Sequence, residues 1–201
     1  PLPAPGRFAA TLAGIGVGAD THVVAYDDSG LAFCSRLWWM MRSLGFRPPR
    51  LLNGGYRAWL AGGGVPETAL PETVPVPVRP VTSYRGVVDI DGLRAALGRG
   101  AALVDSREQQ RYLGREEPLD PVAGHIPGAV NKPWIEVTDA TGALLGEADL
   151  RKHLDGLDAA ELLVYCGSGV TACVNLFALA QVGRGDAVLY AGSWSDWCSW
   201  M

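Results

Sequence analysis

The chain has 201 residues, of which 48% are hydrophobic, enough for one large core or two smaller ones. Its formal charge of −4, with no run of Lys or Arg, argues against a nucleic-acid footprint, and no apolar run approaches the length of a membrane span. Four cysteines (Cys34, Cys166, Cys173, Cys198) are too few for a disulfide scaffold in a chain this long. Together with first residues lacking a charged-then-apolar pattern, they lead us to expect reduced thiols and a cytoplasmic location. The histidines His22, His125 and His153 are scattered, and no Cys/His cluster has metal-ligand spacing, so neither metal nor cofactor is expected.

Residues 1–20 begin with prolines and continue into a weak helical pattern at Phe8, Leu12 and Ile15. Thr21–Tyr26 reads as a strand, Asp27–Gly30 as a turn, and Leu31–Leu44 as a strongly apolar helix ended by Gly45. After Pro48-Pro49 come a short strand at Arg50–Leu52 and a short helix around Trp59. Residues 66–80 hold five prolines and few core candidates, which predicts an extended, semi-rigid linker between a first unit (1–65) and a second (81–201).

In the second unit, Asp89–Leu97 is a predicted helix with Asp89 near its N-cap, and Ala101–Val104 a strand leading to Asp105. Pro121–Pro133 reads as an irregular loop and Leu150–Leu157 as a helix. Leu162–Tyr165 is a continuous apolar run, the pattern of a strand buried on both faces. A helix with apolar positions Val174, Phe177 and Ala178 follows from Thr171. Strands alternating with helices imply an α/β fold with a mainly parallel sheet flanked by helices.

The segment Cys166-Gly167-Ser168-Gly169-Val170-Thr171 joins that strand to that helix, at the sheet edge where ligands bind in α/β proteins. Successive backbone N–H groups in such a turn can form an anion-binding nest, reinforced by the helix dipole. A thiol placed there is expected to be largely thiolate near neutral pH, and so nucleophilic. The alternative is that Cys166 is a small buried hydrophobe.

The chain repeats itself. VVAYDDSGLAFC aligns with LLVYCGSGVTAC, placing Tyr26 on Tyr165, and NGGYRAW aligns with AGSWSDW, placing Gly54 on Gly192. Asp27 then occupies the position of Cys166, and a carboxylate lacks the nucleophilic thiol, so the first copy is expected to be inert. The counterpart of Asp105 would fall before residue 1, so the first copy is expected to be the C-terminal half of a domain, with the chain part of a longer two-domain protein.

CGSGVTAC, preceded by Asp105-Ser106-Arg107, Arg111-Tyr112-Leu113-Gly114 and Gly124-His125-Ile126-Pro127-Gly128-Ala129 and followed by Gly192-Ser193-Trp194-Ser195-Asp196-Trp197, resembles the rhodanese-type sulfurtransferases. The resemblance covers essentially the whole chain. It implies tandem rhodanese-like domains and a ping-pong cycle: Cys166 takes a sulfane sulfur from a small-molecule donor as a persulfide and passes it to an acceptor. Cyanide, a small thiol and thioredoxin are the acceptors to consider. The N–H groups of Gly167, Ser168, Gly169, Val170 and Thr171 would hold the anionic sulfur, with the Ser168 and Thr171 hydroxyls as further donors or, for Thr171, as a helix cap.

Arg111 matches an arginine that holds the donor carboxylate in mercaptopyruvate enzymes; otherwise it would pair at the surface with Glu108 or Glu116. The second arginine of that group is missing, since Leu119 follows Glu117-Pro118. The neutral CGSGVT loop resembles mercaptopyruvate enzymes, whereas EPLDPVAGHIPGAVN resembles bacterial proteins called thiosulfate sulfurtransferases, so both donors stay open. Asp105 and Arg107 read as a structural pair, His125 as a loop-locking residue and Cys173 as core. Trp38, Trp39, Trp59, Trp194 and Trp197 read as core or interface, with Trp134 and Trp200 bordering the cleft. A cysteine phosphatase would need Arg six residues after the cysteine, where this chain has Ala172. A non-catalytic module that binds partners or senses persulfides is the other alternative, and the retained Cys166 speaks against it.

Overall fold

The computed structural model describes residues 2–201. In chain order the elements are α1 (Pro5–Gly14), β1 (Val24–Ala25), α2 (Ala32–Ser43), β2 (Arg50–Leu51) and α3 (Gly55–Ala61), then β3 (Val87–Val88), α4 (Ile90–Gly98), β4 (Ala102–Asp105) and α5 (Gln109–Tyr112). They continue with β5 (Val130–Asn131), a 3-10 turn (Trp134–Val137), α6 (Glu147–His153), β6 (Leu162–Tyr165), α7 (Ala172–Gln181), β7 (Val188–Tyr190) and α8 (Ser193–Cys198). β1 and β2 form a two-stranded parallel sheet. The other five strands form a parallel sheet in the order β3-β7-β6-β4-β5.

β6 lies at the centre of that sheet, and all four of its residues are buried. Alternate residues on a strand face opposite sides. Leu162 and Val164 accordingly join a core with Val174, Leu176 and Leu179 of α7 and Leu150 of α6. Leu163 and Tyr165 join the other face, with Ile90, Leu93 and Ala96 of α4 and Trp194 of α8. Asp89 caps α4 as expected, its carboxylate accepting the Gly92 N–H at 2.9 Å.

The first copy packs onto this core through α2. Trp38, Trp39 and Met40 are buried with the α7 face, and Trp38 meets Phe177 edge-on at 5.2 Å. α2 and α7, equivalent in the repeat, thus lie against each other. Residues 66–80 contain no regular element, and the Val76 N–H donates to the carbonyl of Ala13 at 3.0 Å.

Several elements differ from their expected form. The strand expected over Thr21–Tyr26 is only Val24–Ala25, because its partner β2 offers two residues after Pro48-Pro49, which have no N–H to give a ladder. The segment expected to be an irregular loop contains β5, pairing Val130 with Val104 and Asn131 with Asp105. The helix expected at Leu150–Leu157 runs Glu147–His153: Glu147 and Asp149 occupy its first turn and Arg151, Lys152 and His153 its last, matching the dipole at both ends. Trp59 is 38% exposed rather than core, stacked on Tyr56 at 5.7 Å.

Candidate active site

Cys166 follows the last residue of β6, so a rigid central strand carries it to the C-terminal edge of the sheet. Its sulfur accepts the Gly169 N–H at 3.1 Å. Gly169 has φ +78°, and a Cβ there would lie 2.4 Å from the carbonyl oxygen of Ala191, so only glycine lets the loop turn this tightly against the β7–α8 connection. α8 holds the base of the loop: the N–H groups of Trp194 and Ser195 donate to the carbonyls of Cys166 (3.0 Å) and Gly167 (2.9 Å). Ser193 Oγ accepts the Cys166 N–H at 3.1 Å and donates to the Tyr190 carbonyl at 3.0 Å. Those two bonds stabilise a left-handed backbone at Ser193 (φ 57°), a conformation disfavoured by roughly 1–2 kcal/mol outside glycine.

The first copy shows what such a loop binds. Asp27, the counterpart of Cys166, accepts N–H groups from Ser29 (2.9 Å) and Leu31 (3.1 Å) on Oδ1 and from Phe33 (2.9 Å) and Cys34 (2.8 Å) on Oδ2. Partial burial pushes the Asp27 carboxyl up, but the N–H donors, led by Cys34, outweigh it and hold the carboxyl below its ordinary value. The nest is therefore filled by the protein's own anion. In the second copy a sulfur takes the carboxylate's place. Burial pushes the two neighbouring thiols, Cys34 and Cys173, up to about 12, with the Asp27 charge adding to the effect at Cys34. Neither is an ionised competitor at neutral pH.

Arg111 stands beside the loop: a Cβ on Gly167 would lie 3.3 Å from its Nη1. Its ion pairs are with Glu117 (2.7 Å) and Asp120 (3.2 Å), not with Glu108 or Glu116. Glu108 instead accepts the Trp134 indole N–H at 3.1 Å. Burial raises the Glu117 carboxyl, yet the bonds from Arg111 and from the Leu119 and Asp120 N–H groups lower it further, so the net direction is down. Behind this pair, Arg107 is 1% exposed, bound to Asp105 (2.7 Å), Glu117 (3.2 Å) and the Gly124 carbonyl (2.6 Å), with its guanidinium 4.6 Å from the Trp194 ring. Asp105 and Arg107 thus brace the loops around the site. His125 donates from Nδ1 to the Tyr112 carbonyl at 2.8 Å and stacks on that ring at 3.9 Å, locking the segment after α5.

Ser168 is exposed, and Thr171 makes no side-chain cap bond with α7, so the capping role considered for it is absent. Trp200 is exposed under Arg94, 5.6 Å from its ring. A cavity of about 660 Å³ lies beside Asp27, between Tyr26, Tyr56 and Trp59, rather than at Cys166, which is 1% exposed. The Cys166 loop holds the thiol and is the candidate site, and the Asp27-side cavity has no nucleophilic side chain of that kind in its lining. Ser193, Glu117 and Asp120 escape a reading of the sequence alone; the signals that carry them are the GSW triplet and the acidic residues flanking Pro118.

A family model for the rhodanese-like domain matches residues 4–62 and 89–199. The chain belongs to the rhodanese family of sulfurtransferases. Among its relatives, a protein of Pseudomonas aeruginosa named as a 3-mercaptopyruvate sulfurtransferase is 42% identical over 98% of this chain and 72% of its own length. A Mycobacterium tuberculosis protein named as a thiosulfate sulfurtransferase is 40% identical over 99% of this chain and 72% of its own. The crystal structure of the Escherichia coli 3-mercaptopyruvate sulfurtransferase SseA superposes with a TM-score of 0.78 at 32% identity, covering 96% of this chain and 74% of that one.

Proposed function

We propose that this rhodanese-family chain moves a sulfane sulfur from thiosulfate or 3-mercaptopyruvate to a thiophilic acceptor through a persulfide on Cys166. The observation that carries the reading is Cys166 Sγ seated in the loop on the Gly169 N–H, where the equivalent loop binds a carboxylate on four N–H groups. With thiosulfate, the thiolate attacks the outer sulfur, the S–S bond breaks and sulfite leaves. With 3-mercaptopyruvate the C–S bond breaks, and the donor's thiol proton ends on the methyl group of pyruvate. In the second half, cyanide or a thiolate attacks the outer sulfur of the persulfide and Cys166 leaves as thiolate. Thioredoxin is the protein acceptor to test.

Gly167 to Thr171 supply the N–H groups for the charge on the outer sulfur, without any protonated base. Ser168 and Thr171 add hydroxyl donors. Arg111, next to Gly167, attracts the anionic end of the donor, but Glu117 and Asp120 already take most of its capacity and Leu119 offers no second clamp. We read residues 81–201 as the unit that carries the chemistry and 1–65, where Asp27 fills the loop, as the inert one. All four cysteines are free and, among the described residues, no helix is long and apolar enough to cross a membrane, which fits the cytoplasmic location we assign.

Mass spectrometry of the Cys166 peptide after incubation with each donor tests the reading. A gain of one sulfur on Cys166 is expected, and the faster donor identifies the physiological class. If neither donor loads the folded protein, the alternative of a non-catalytic binding or persulfide-sensing module takes its place.

A further inference from the structure

Arg36 lies on α2, in the first copy, yet its Nη1 donates to the carbonyl of Gly169, 133 positions away in the active loop, at 2.7 Å. The same oxygen accepts the Cys173 S–H at 3.6 Å. Gly169 thus has both of its peptide groups engaged: its N–H on the Cys166 sulfur and its C=O on a guanidinium from another part of the fold. Glycine leaves the two flanking peptide planes free to turn, so something outside the loop must pin them.

The described residues contain no cis peptide, and in a trans peptide the C=O and the following N–H point in opposite directions. Holding the Gly169 carbonyl toward Arg36 therefore turns the Val170 N–H away from Arg36. In the first copy the residue equivalent to Val170 is Leu31, and its N–H donates to the Asp27 carboxylate at 3.1 Å. From this geometry we infer that Arg36 is a positioning residue for sulfur transfer: it fixes the Gly169–Val170 peptide with its N–H turned to the anionic sulfur on Cys166. Its charge also faces the negative end of that peptide dipole, which strengthens the N–H as a donor. The inert copy thus takes part in the chemistry across the α2–α7 contact. Only the transfer step of this inference rests on the sulfurtransferase reading.

Two readouts separate the two ideas. One is steady-state turnover with thiosulfate and cyanide; the other is the rate at which iodoacetamide alkylates Cys166, followed by peptide mass, which needs no turnover. Arg36→Met is compared with Arg42→Met, because Arg42 makes the same kind of bond from α2 to the carbonyl of Gly185 (2.9 Å) but away from the loop. Arg36→Met is expected to lower both kcat and the alkylation rate about tenfold while the donor KM stays within about twofold. Arg36→Lys should recover part of each loss, and Arg42→Met should leave both near the wild-type rate. Wild-type rates in Arg36→Met, or an equal loss in Arg42→Met, would overturn the assignment. If Arg36→Met does not fold, Arg36→Lys decides: alkylation as fast as in the wild type counts against a guanidinium lock, and an intermediate rate with an unchanged melting temperature supports it. A wild-type protein that accepts no sulfur defeats the sulfurtransferase reading, while the alkylation comparison still judges Arg36.

Discussion

Asp27 and Cys166 occupy the same point in two copies of one loop, and each accepts backbone N–H groups there, the carboxylate four of them and the sulfur that of Gly169. A nest of N–H groups is built for an anion, and here a carboxylate fills one copy while a sulfur stands in the other.

Replacing the sulfur should separate fold from chemistry. Cys166→Ser is expected to keep the melting temperature within a few degrees and to lower thiocyanate formation by at least about a thousandfold. In the wild type, iodoacetamide near neutral pH should label Cys166 before Cys34 or Cys173, since burial pushes both of those thiols up to about 12. Peptide mapping checks the order of labelling, and faster labelling at Cys173 would count against the assignment.

At Gly169 the backbone itself is at stake. With φ +78° and the Ala191 carbonyl oxygen 2.4 Å from where an alanine Cβ would sit, Gly169→Ala should destabilise the protein by more than about 1 kcal/mol and abolish Cys166 reactivity. Gly167→Ala, whose nearest neighbour is the flexible end of the Arg111 side chain at 3.3 Å, should be milder. Thermal unfolding and alkylation of both variants measure the contrast.

Donor capture is expected to depend on how free Arg111 is. Arg111→Gln should raise the donor KM about tenfold with a smaller effect on kcat. Asp120→Asn removes one of the two carboxylates on Arg111 and should lower that KM by a few-fold, while Glu117 keeps the guanidinium in place. Steady-state kinetics with both donors tests the opposite signs; the same direction in both variants would remove Arg111 from the donor site.

Acid should weaken the first copy through Asp27. Its folded carboxyl sits below the ordinary value, so its contribution to stability is present above the usual carboxylate range and is lost as pH falls through the folded value. Asp27→Asn should therefore lower stability by roughly 1–3 kcal/mol near neutral pH, with the difference from wild type shrinking in acid. Urea unfolding from neutral to acidic pH follows that difference directly.

Much of this molecule is legible in its sequence. The apolar run Leu162–Tyr165, the glycines after Cys166, the Asp89 cap and the repeat of the strand–loop–helix unit are local patterns, and local backbone preference and burial periodicity determine them without knowledge of any distant partner. β5 and β1 are harder to read, since two residues carry no period and their ladders depend on where Val104 or Arg50 arrive. Only the tertiary structure decided that Glu117 and Asp120 take Arg111, that Ser193 Oγ holds the Cys166 N–H, and that Arg36 reaches the Gly169 carbonyl. The physical reason is that a guanidinium or hydroxyl bonds whichever suitable partner the packing of the core presents. For Arg36 that partner was set by α2 lying against α7, a contact made through the buried faces of two helices far apart in the chain.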